Sequence, residues 1–140
     1  MIAGDLMTPD PITVTAEASL AEAWDLMRLL NSRHIPVVEG RNLIGMVSDR
    51  DLSRIDMAGI LANQGADALR AKLATPVVKI MSTDVISVDT EADLGEVVRL
   101  LIEHKVGALA VMRPGTREIA GILSYIDVLK VVQSSLPNGR

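Results

Sequence analysis

The chain has 140 residues, 49% of them hydrophobic and 23% charged, with no cysteine and a formal net charge of −4 at pH 7. That balance describes a folded protein, one compact domain or two small units sharing a core, and excludes a disordered tail or a fibre. It also excludes disulfides and thiolate chemistry. Because Lys and Arg are scattered rather than clustered, it speaks against nucleic acid as a partner.

Aromatic residues make up 1%, Trp24 and Tyr125 alone, so Val, Ile, Leu, Met and Ala must fill the core. No apolar run approaches the ~18 residues of a membrane span, and no basic stretch leads into an apolar one at the N-terminus. The expectation is a cytosolic protein that does not enter a membrane.

The chain repeats itself. At an offset of 81 − 7 = 74, Met7 matches Met81, Ile12 matches Ile86, Val14 matches Val88, Glu17 matches Glu91, Leu20 matches Leu94, Leu26 matches Leu100 and Val37 matches Val111. Beyond the turn at residues 113–117 the offset becomes 121 − 45 = 76, and Gly45, Ser48 and Asp51 match Gly121, Ser124 and Asp127. A two-residue insertion in a turn is what a duplicated fold tolerates.

In chain order, each copy opens with a β-branched stretch, Ile12 to Thr15 or Val85 to Val88, read as a short strand. A helix follows, started by Ser19-Leu20-Ala21-Glu22 or Asp93-Leu94-Gly95-Glu96, both capping-box spellings. The apolar stripes Leu20, Ala23, Trp24, Met27, Leu30 and Leu94, Val97, Val98, Leu101 have helical spacing. Two strands come next, near His34 to Glu39 and Leu43 to Ser48 in the first copy, Gly107 to Met112 and Ile119 to Ser124 in the second. A closing helix begins at Asp49 or Tyr125.

The fold class predicted is therefore α+β, two tandem βαββα units packed about a pseudo-twofold axis. Its divisions are residues 1–56, a connector at 57–75 with one short helix at Ala66 to Leu73, a second unit at 76–134, and a flexible tail at 135–140.

An enzyme is not expected. The only histidines are His34 and His104, and the chain lacks a His-Glu-x-x-His, a Gly-x-Ser-x-Gly elbow and a phosphate loop. No metal or cofactor site is indicated, and His104 reads as a helix-end residue that favours the dipole there.

The informative signal is Gly45-Met46-Val47-Ser48-Asp49-Arg50-Asp51, repeated as Gly121-Ile122-Leu123-Ser124-Tyr125-Ile126-Asp127. Its plain reading is a strand followed by a helix start, with Ser as N-cap and an acid at N3. Its functional reading is a phosphate at the Ser and a ribose held through both hydroxyls by the Asp.

Taken with Asp5-Leu6-Met7-Thr8, Ile12-Thr13-Val14 and Arg33-His34-Ile35-Pro36-Val37-Val38, this first copy resembles the cystathionine β-synthase (CBS) domain. The second copy, from Lys79-Ile80-Met81-Ser82 to Asp127, resembles another, with Ala110 where the first copy has Pro36. The resemblance implies a tandem pair that binds AMP, ADP, ATP or S-adenosylmethionine in clefts between the copies, regulates an unknown downstream protein and often forms a homodimer.

It further implies one pocket of Ser124 and Asp127 with Thr8, Ile12, Thr13, Arg33, His34 and Ile35, Ile12 and Ile35 flanking the base. The other would join Ser48, Arg50 and Asp51 to Ser82, Ile86, Ser87, Gly107, Ala108 and Leu109. The alternative is a ligand-free module that dimerises through Leu52, Ile55, Val128, Leu129 and Val132.

Overall fold

A computed structural model of the chain describes residues 1–137. It divides into two compact units: a contiguous one, Ile12–Asp84, and a discontinuous one, Met1–Pro11 together with the chain from Val85 onward.

In the contiguous unit the chain runs from β2 (Val14–Thr15) into α2 (Leu20–Leu30), then β3 (His34–Glu39), β4 (Asn42–Ser48) and α3 (Asp49–Ser53). β2 pairs parallel with β3, as a strand must when a helix carries the chain back, and β3 pairs antiparallel with β4 across the short turn at Gly40. Gly40 sits at φ +63°, a conformation that glycine adopts without steric cost.

Ser19 caps α2 by accepting from the Glu22 amide at 3.1 Å. Leu20, Ala23 and Met27 turn inward, whereas Trp24 and Leu30, expected on the buried stripe, are exposed. Leu20, Ile35, Val37, Val47, Leu52 and Val77 form the heart of this core.

The discontinuous unit repeats the plan with β5 (Ser87–Asp89), α6 (Leu94–His104), β6 (Ala108–Met112), β7 (Ile119–Ser124) and α7 (Tyr125–Ser135). Asp93 caps α6 by accepting from the Glu96 amide at 2.8 Å. Val97, Leu109, Val111, Leu123 and Ala3 are each fully buried in its core. The opening strands are shorter than their sequence suggests: Ile12 and Thr13 lie outside β2, and Val85 and Ile86 lie outside β5.

The lead-in of each repeat belongs to the unit that holds the other repeat's sheet. The N-terminal α1 (Ala3–Leu6) and β1 (Thr8–Pro9) sit in the discontinuous unit, where Thr8 pairs with Ile122 and the Ala3 amide donates to the Ala92 carbonyl at 2.7 Å. In the contiguous unit the 3-10 turn Val77–Lys79 and Ser82 do the same, Ser82 bridging Met46 and the Val77 amide donating to the Ala18 carbonyl at 2.7 Å.

Gly45 and Gly121 make room for this. A Cβ at Gly45 would lie 2.5 Å from Met81 Sδ, and one at Gly121 would lie 2.5 Å from Met7 Sδ and 2.7 Å from the Thr8 carbonyl oxygen.

The segment between the repeats holds two helices rather than one, α4 (Met57–Gln64) and α5 (Ala66–Leu73). Asp56 starts α4 by accepting from the Gly59 amide at 3.0 Å, which places Gly59 in the first turn of the helix. At the other end α7 runs to Ser135, and of the tail expected to be flexible, residues 138–140 lie outside the described residues. No helix among the described residues is long and apolar enough to cross a membrane.

Candidate functional site

Both repeated Ser-x-x-Asp motifs form the same corner, where a sheet strand hands over to a helix. In the contiguous unit Ser48 ends β4 in extended geometry and α3 begins at the next residue. The Asp51 amide donates to Ser48 Oγ at 3.2 Å and the Ser48 amide donates to Asp51 Oδ2 at 2.9 Å. Buried Leu52 anchors the helix from below, which holds Asp51 half-buried.

In the discontinuous unit Ser124 and Asp127 repeat the box. The Ser124 amide donates to Asp127 Oδ2 at 2.8 Å, and Ser124 Oγ donates to the same oxygen at 3.2 Å. In both corners the capping reading is correct but incomplete, because it engages Oδ2 alone. Among the described residues Oδ1 of Asp51 and of Asp127 accepts no hydrogen bond. No unpartnered side-chain oxygen among the described residues is buried, so each Oδ1 stays open to a hydroxyl or amide from outside the chain.

Antiparallel pairing decides which side chains surround each corner. His34 lies opposite Ser48, and the Asp49 amide donates to the Arg33 carbonyl at 2.9 Å. Arg33, His34, Ser48, Arg50 and Asp51 therefore share the contiguous unit, with exposed Ser82 following Met81 onto the neighbouring strand edge.

In the other unit Ala108 lies opposite Ser124, the Tyr125 amide donates to the Gly107 carbonyl at 3.1 Å, and Thr8 pairs beside them. The expected grouping put Arg33 and His34 with Ser124 and Asp127. That grouping spans the two units; within each unit the Ser-Asp corner is flanked by the strand its own hairpin brings back.

Ile35 and Leu109, expected beside a ligand, are 1% and 0% exposed, and their side chains serve the two cores. Ile86 packs against the core of the discontinuous unit, and Ser87 is exposed on β5. Ile12 is 52% exposed and Thr13 half-buried, both just ahead of β2.

The protonation of His34 is perturbed by its surroundings. Burial lowers its pKa below the ordinary 6.5, Asp49 and Asp51 oppose that by attraction, and Arg33 and Arg50 add to it by repulsion. Asp49, which the sequence reading passed over, thus belongs to the corner. Its place beside Ser48 in the repeated motif was the signal.

Of the assembly residues, Leu52 is 1% exposed and belongs to the core rather than to a surface. It lies under the first turn of a helix that must be fastened to the sheet. Leu129 and Val132 are exposed on α7, while Ile55 and Val128 are half-buried.

The chain resembles proteins already known. The CBS domain family matches residues 3–58 and again 77–134. A CBS domain-containing protein of Bacillus subtilis, YhcV, is 32% identical over 124 residues, covering 89% of this chain and 80% of that protein. An uncharacterized 33.4 kDa protein of Thermofilum pendens is also 32% identical over 126 residues, and there the match covers 89% of this chain but only 41% of the relative. Among solved structures, CBSX2 in complex with AMP is 25% identical with a TM-score of 0.77, covering 94% of this chain and 95% of that one.

Proposed function

Because the chain belongs to the CBS-domain family as a tandem pair, we propose that it is a regulatory module rather than a catalyst. Its ligand is an adenine nucleotide or relative, namely AMP, ADP, ATP or S-adenosylmethionine, held at the Ser-x-x-Asp corners. The observation that carries this reading is the unpartnered Oδ1 of Asp51 and Asp127 beside a serine hydroxyl. A carboxylate already oriented by its Oδ2 bonds can accept a ribose hydroxyl with little further loss of freedom. The similar CBSX2, solved with AMP, supports the choice of ligand class.

Binding acts on a partner protein only through differential affinity: the occupied module must be bound better, or worse, than the empty one. A cytoplasmic location follows from this ligand, which is a cytoplasmic metabolite. Thermal unfolding with each of the four ligands tests the reading. A ligand at a hundredfold excess over its dissociation constant stabilises by about 2.7 kcal/mol. The reading fails if none of the four raises the melting temperature, or if a D51A/D127A double variant responds as the wild type does.

A second property, pairing of two copies, is supported by one face of α7. Ile126, Leu129 and Val132 are 44%, 53% and 46% exposed at helical spacing. Light scattering with Leu129→Glu, expected to convert dimer to monomer, tests it, and an unchanged mass would end it.

A further inference from the structure

The chain has seven methionines and no cysteine, so thioethers are its only sulfur. Two of them are set apart by position. Met7 and Met81 are equivalents in the repeat, and each packs from its lead-in onto a core, Met7 in the discontinuous unit and Met81 in the contiguous one. Each lays its sulfur over a strand glycine. Sδ and Cγ of Met7 lie 2.5 and 2.9 Å from where a Cβ on Gly121 would be, and Met81 repeats both distances at Gly45. The thioether therefore fills the space that glycine leaves open, and sulfur and strand touch directly.

This contact sits beside the hydrogen bonds that seat each lead-in. Next to Met81, Ser82 and Met46 exchange amide-to-carbonyl bonds in both directions at 2.9 Å. Next to Met7, Thr8 pairs with Ile122, and the Asp10 amide donates to the Ala120 carbonyl at 3.0 Å. Both methionines are half-buried rather than enclosed, so a small solute reaches them from the solvent side. The others differ: Met27 and Met46 are 5% and 8% exposed, Met1 is 66% exposed, and Met57 and Met112 are half-buried outside both core clusters.

We infer that Met7 and Met81 are paired oxidation sites, at which a hydroperoxide converts the thioether to a sulfoxide and unseats the lead-in from its sheet. A sulfur lone pair attacks the distal oxygen of the peroxide; a sulfur–oxygen bond forms and the O–O bond breaks. The peroxide proton passes to the departing oxygen, which leaves as water or an alcohol. Methionine loses two electrons and the peroxide gains them. The product cannot keep its seat. Its added oxygen extends from an atom already against the glycine, and it sets a polar acceptor on an apolar core. Whether the side chain swings out or the strand lifts, the packing that fastens the lead-in is lost. Reduction of the sulfoxide restores it.

Hydrogen peroxide treatment of the purified protein, followed by peptide mass spectrometry and thermal unfolding without ligand, tests this in wild type, M7L, M81L and M7L/M81L. Leucine conserves the volume and is not oxidised, so the variants are expected to fold, and their melting before treatment checks that. Sulfoxide should form at residues 7 and 81 ahead of 27 and 46. Treated wild type should melt about 4 °C lower for each site oxidised, whereas M7L/M81L should hold its melting temperature. In treated wild type the amides of Asp10, Met46 and Ser82 should exchange faster with solvent. Methionine sulfoxide reductase with a dithiol should reverse both changes. These last two readouts need wild type alone, so they decide even where a leucine variant fails to fold.

If residues 7 and 81 stay unoxidised while Met1 becomes sulfoxide, they are not modification sites. If they are oxidised and the melting temperature and amide exchange hold, or if treated M7L/M81L falls as far as wild type, the unseating is wrong. No ligand is present in any arm, so each of these outcomes leaves the nucleotide reading as it was.

Discussion

Replacing Gly121 or Gly45 by alanine probes the arrangement on which both corners depend, the seating of each lead-in on the sheet of the opposite repeat. Alanine removes the conformational freedom of glycine in a strand, a gain of about 0.5–1 kcal/mol. Against this, a Cβ at Gly121 meets the Thr8 carbonyl oxygen at 2.7 Å as well as Met7 Sδ at 2.5 Å. The sulfur can swing away, but the carbonyl belongs to the β1–β7 pairing and moves only with its strand. Overpacking of this kind costs about 1–3 kcal/mol, and its backbone share puts G121A near the top, a net loss of about 2 kcal/mol.

At Gly45 the close atoms are Met81 Sδ at 2.5 Å and Cγ at 2.9 Å, with the Ser82 carbonyl oxygen at 3.0 Å, so the flexible side chain absorbs most of the clash. G45A should lose no more than about 1 kcal/mol, the overpacking cost net of the strand gain. At about 4 °C per kcal/mol for a chain of this size, the two melting temperatures fall by about 8 and 4 °C. A double-mutant cycle completes the test: M81A should relieve G45A, whereas M7A should relieve G121A only in part. Urea unfolding in which G121A is as stable as wild type, or in which the M81A and G45A losses simply add, would refute the seating.

The remaining predictions concern single features. Asp51→Ala removes the carboxylate half of the α3 capping box and costs about 1 kcal/mol in addition to ligand binding, whereas Ser19→Ala removes the α2 cap and leaves ligand binding intact. Denaturant curves and a ligand titration on both variants distinguish cap from site. His34 has a lowered pKa in the folded state, so the unfolded chain binds its proton first. Its contribution is intact above 6.5 and is lost as pH falls from there through the folded value. His34→Gln should flatten the urea midpoint over that window, and an unchanged pH profile would count against the burial. Lys105, left-handed at φ +53° after α6, should gain about 1 kcal/mol when replaced by glycine, measured by thermal unfolding. Val77→Ala removes two buried methyl groups from the contiguous unit's core, a loss of about 2 kcal/mol by denaturation.

Much of the architecture was legible because duplication doubles every signal. Ser19 and Asp93 announced their helices in the same spelling, and β3, β4, β6 and β7 lie within a residue of where β-branched runs placed them. What sequence could not show is where a lead-in lands. Val77 and Ala3 look like ordinary small apolar residues, and they are completely buried where they dock on segments far away in sequence, at Ala18 and Ala92.

Likewise α4 was hidden by Gly59 and Gly65, though Asp56 and the spacing of Met57, Ile60 and Leu61 spell a helix start. For the site, the Ser-x-x-Asp corner was readable as both cap and ligand holder. That Arg33 and His34 also flank Ser48 within one unit was not, because only the register of β3 against β4 reveals it.

The central claim is that the Ser-x-x-Asp corners receive the ligand, and amide chemical shifts report it residue by residue. On titration of the 15N-labelled protein with AMP, the amides of Ser48 and Asp51, and of neighbouring Arg33 and His34, should move together along one saturable curve. Movement confined to other residues, or none at millimolar AMP, would contradict it.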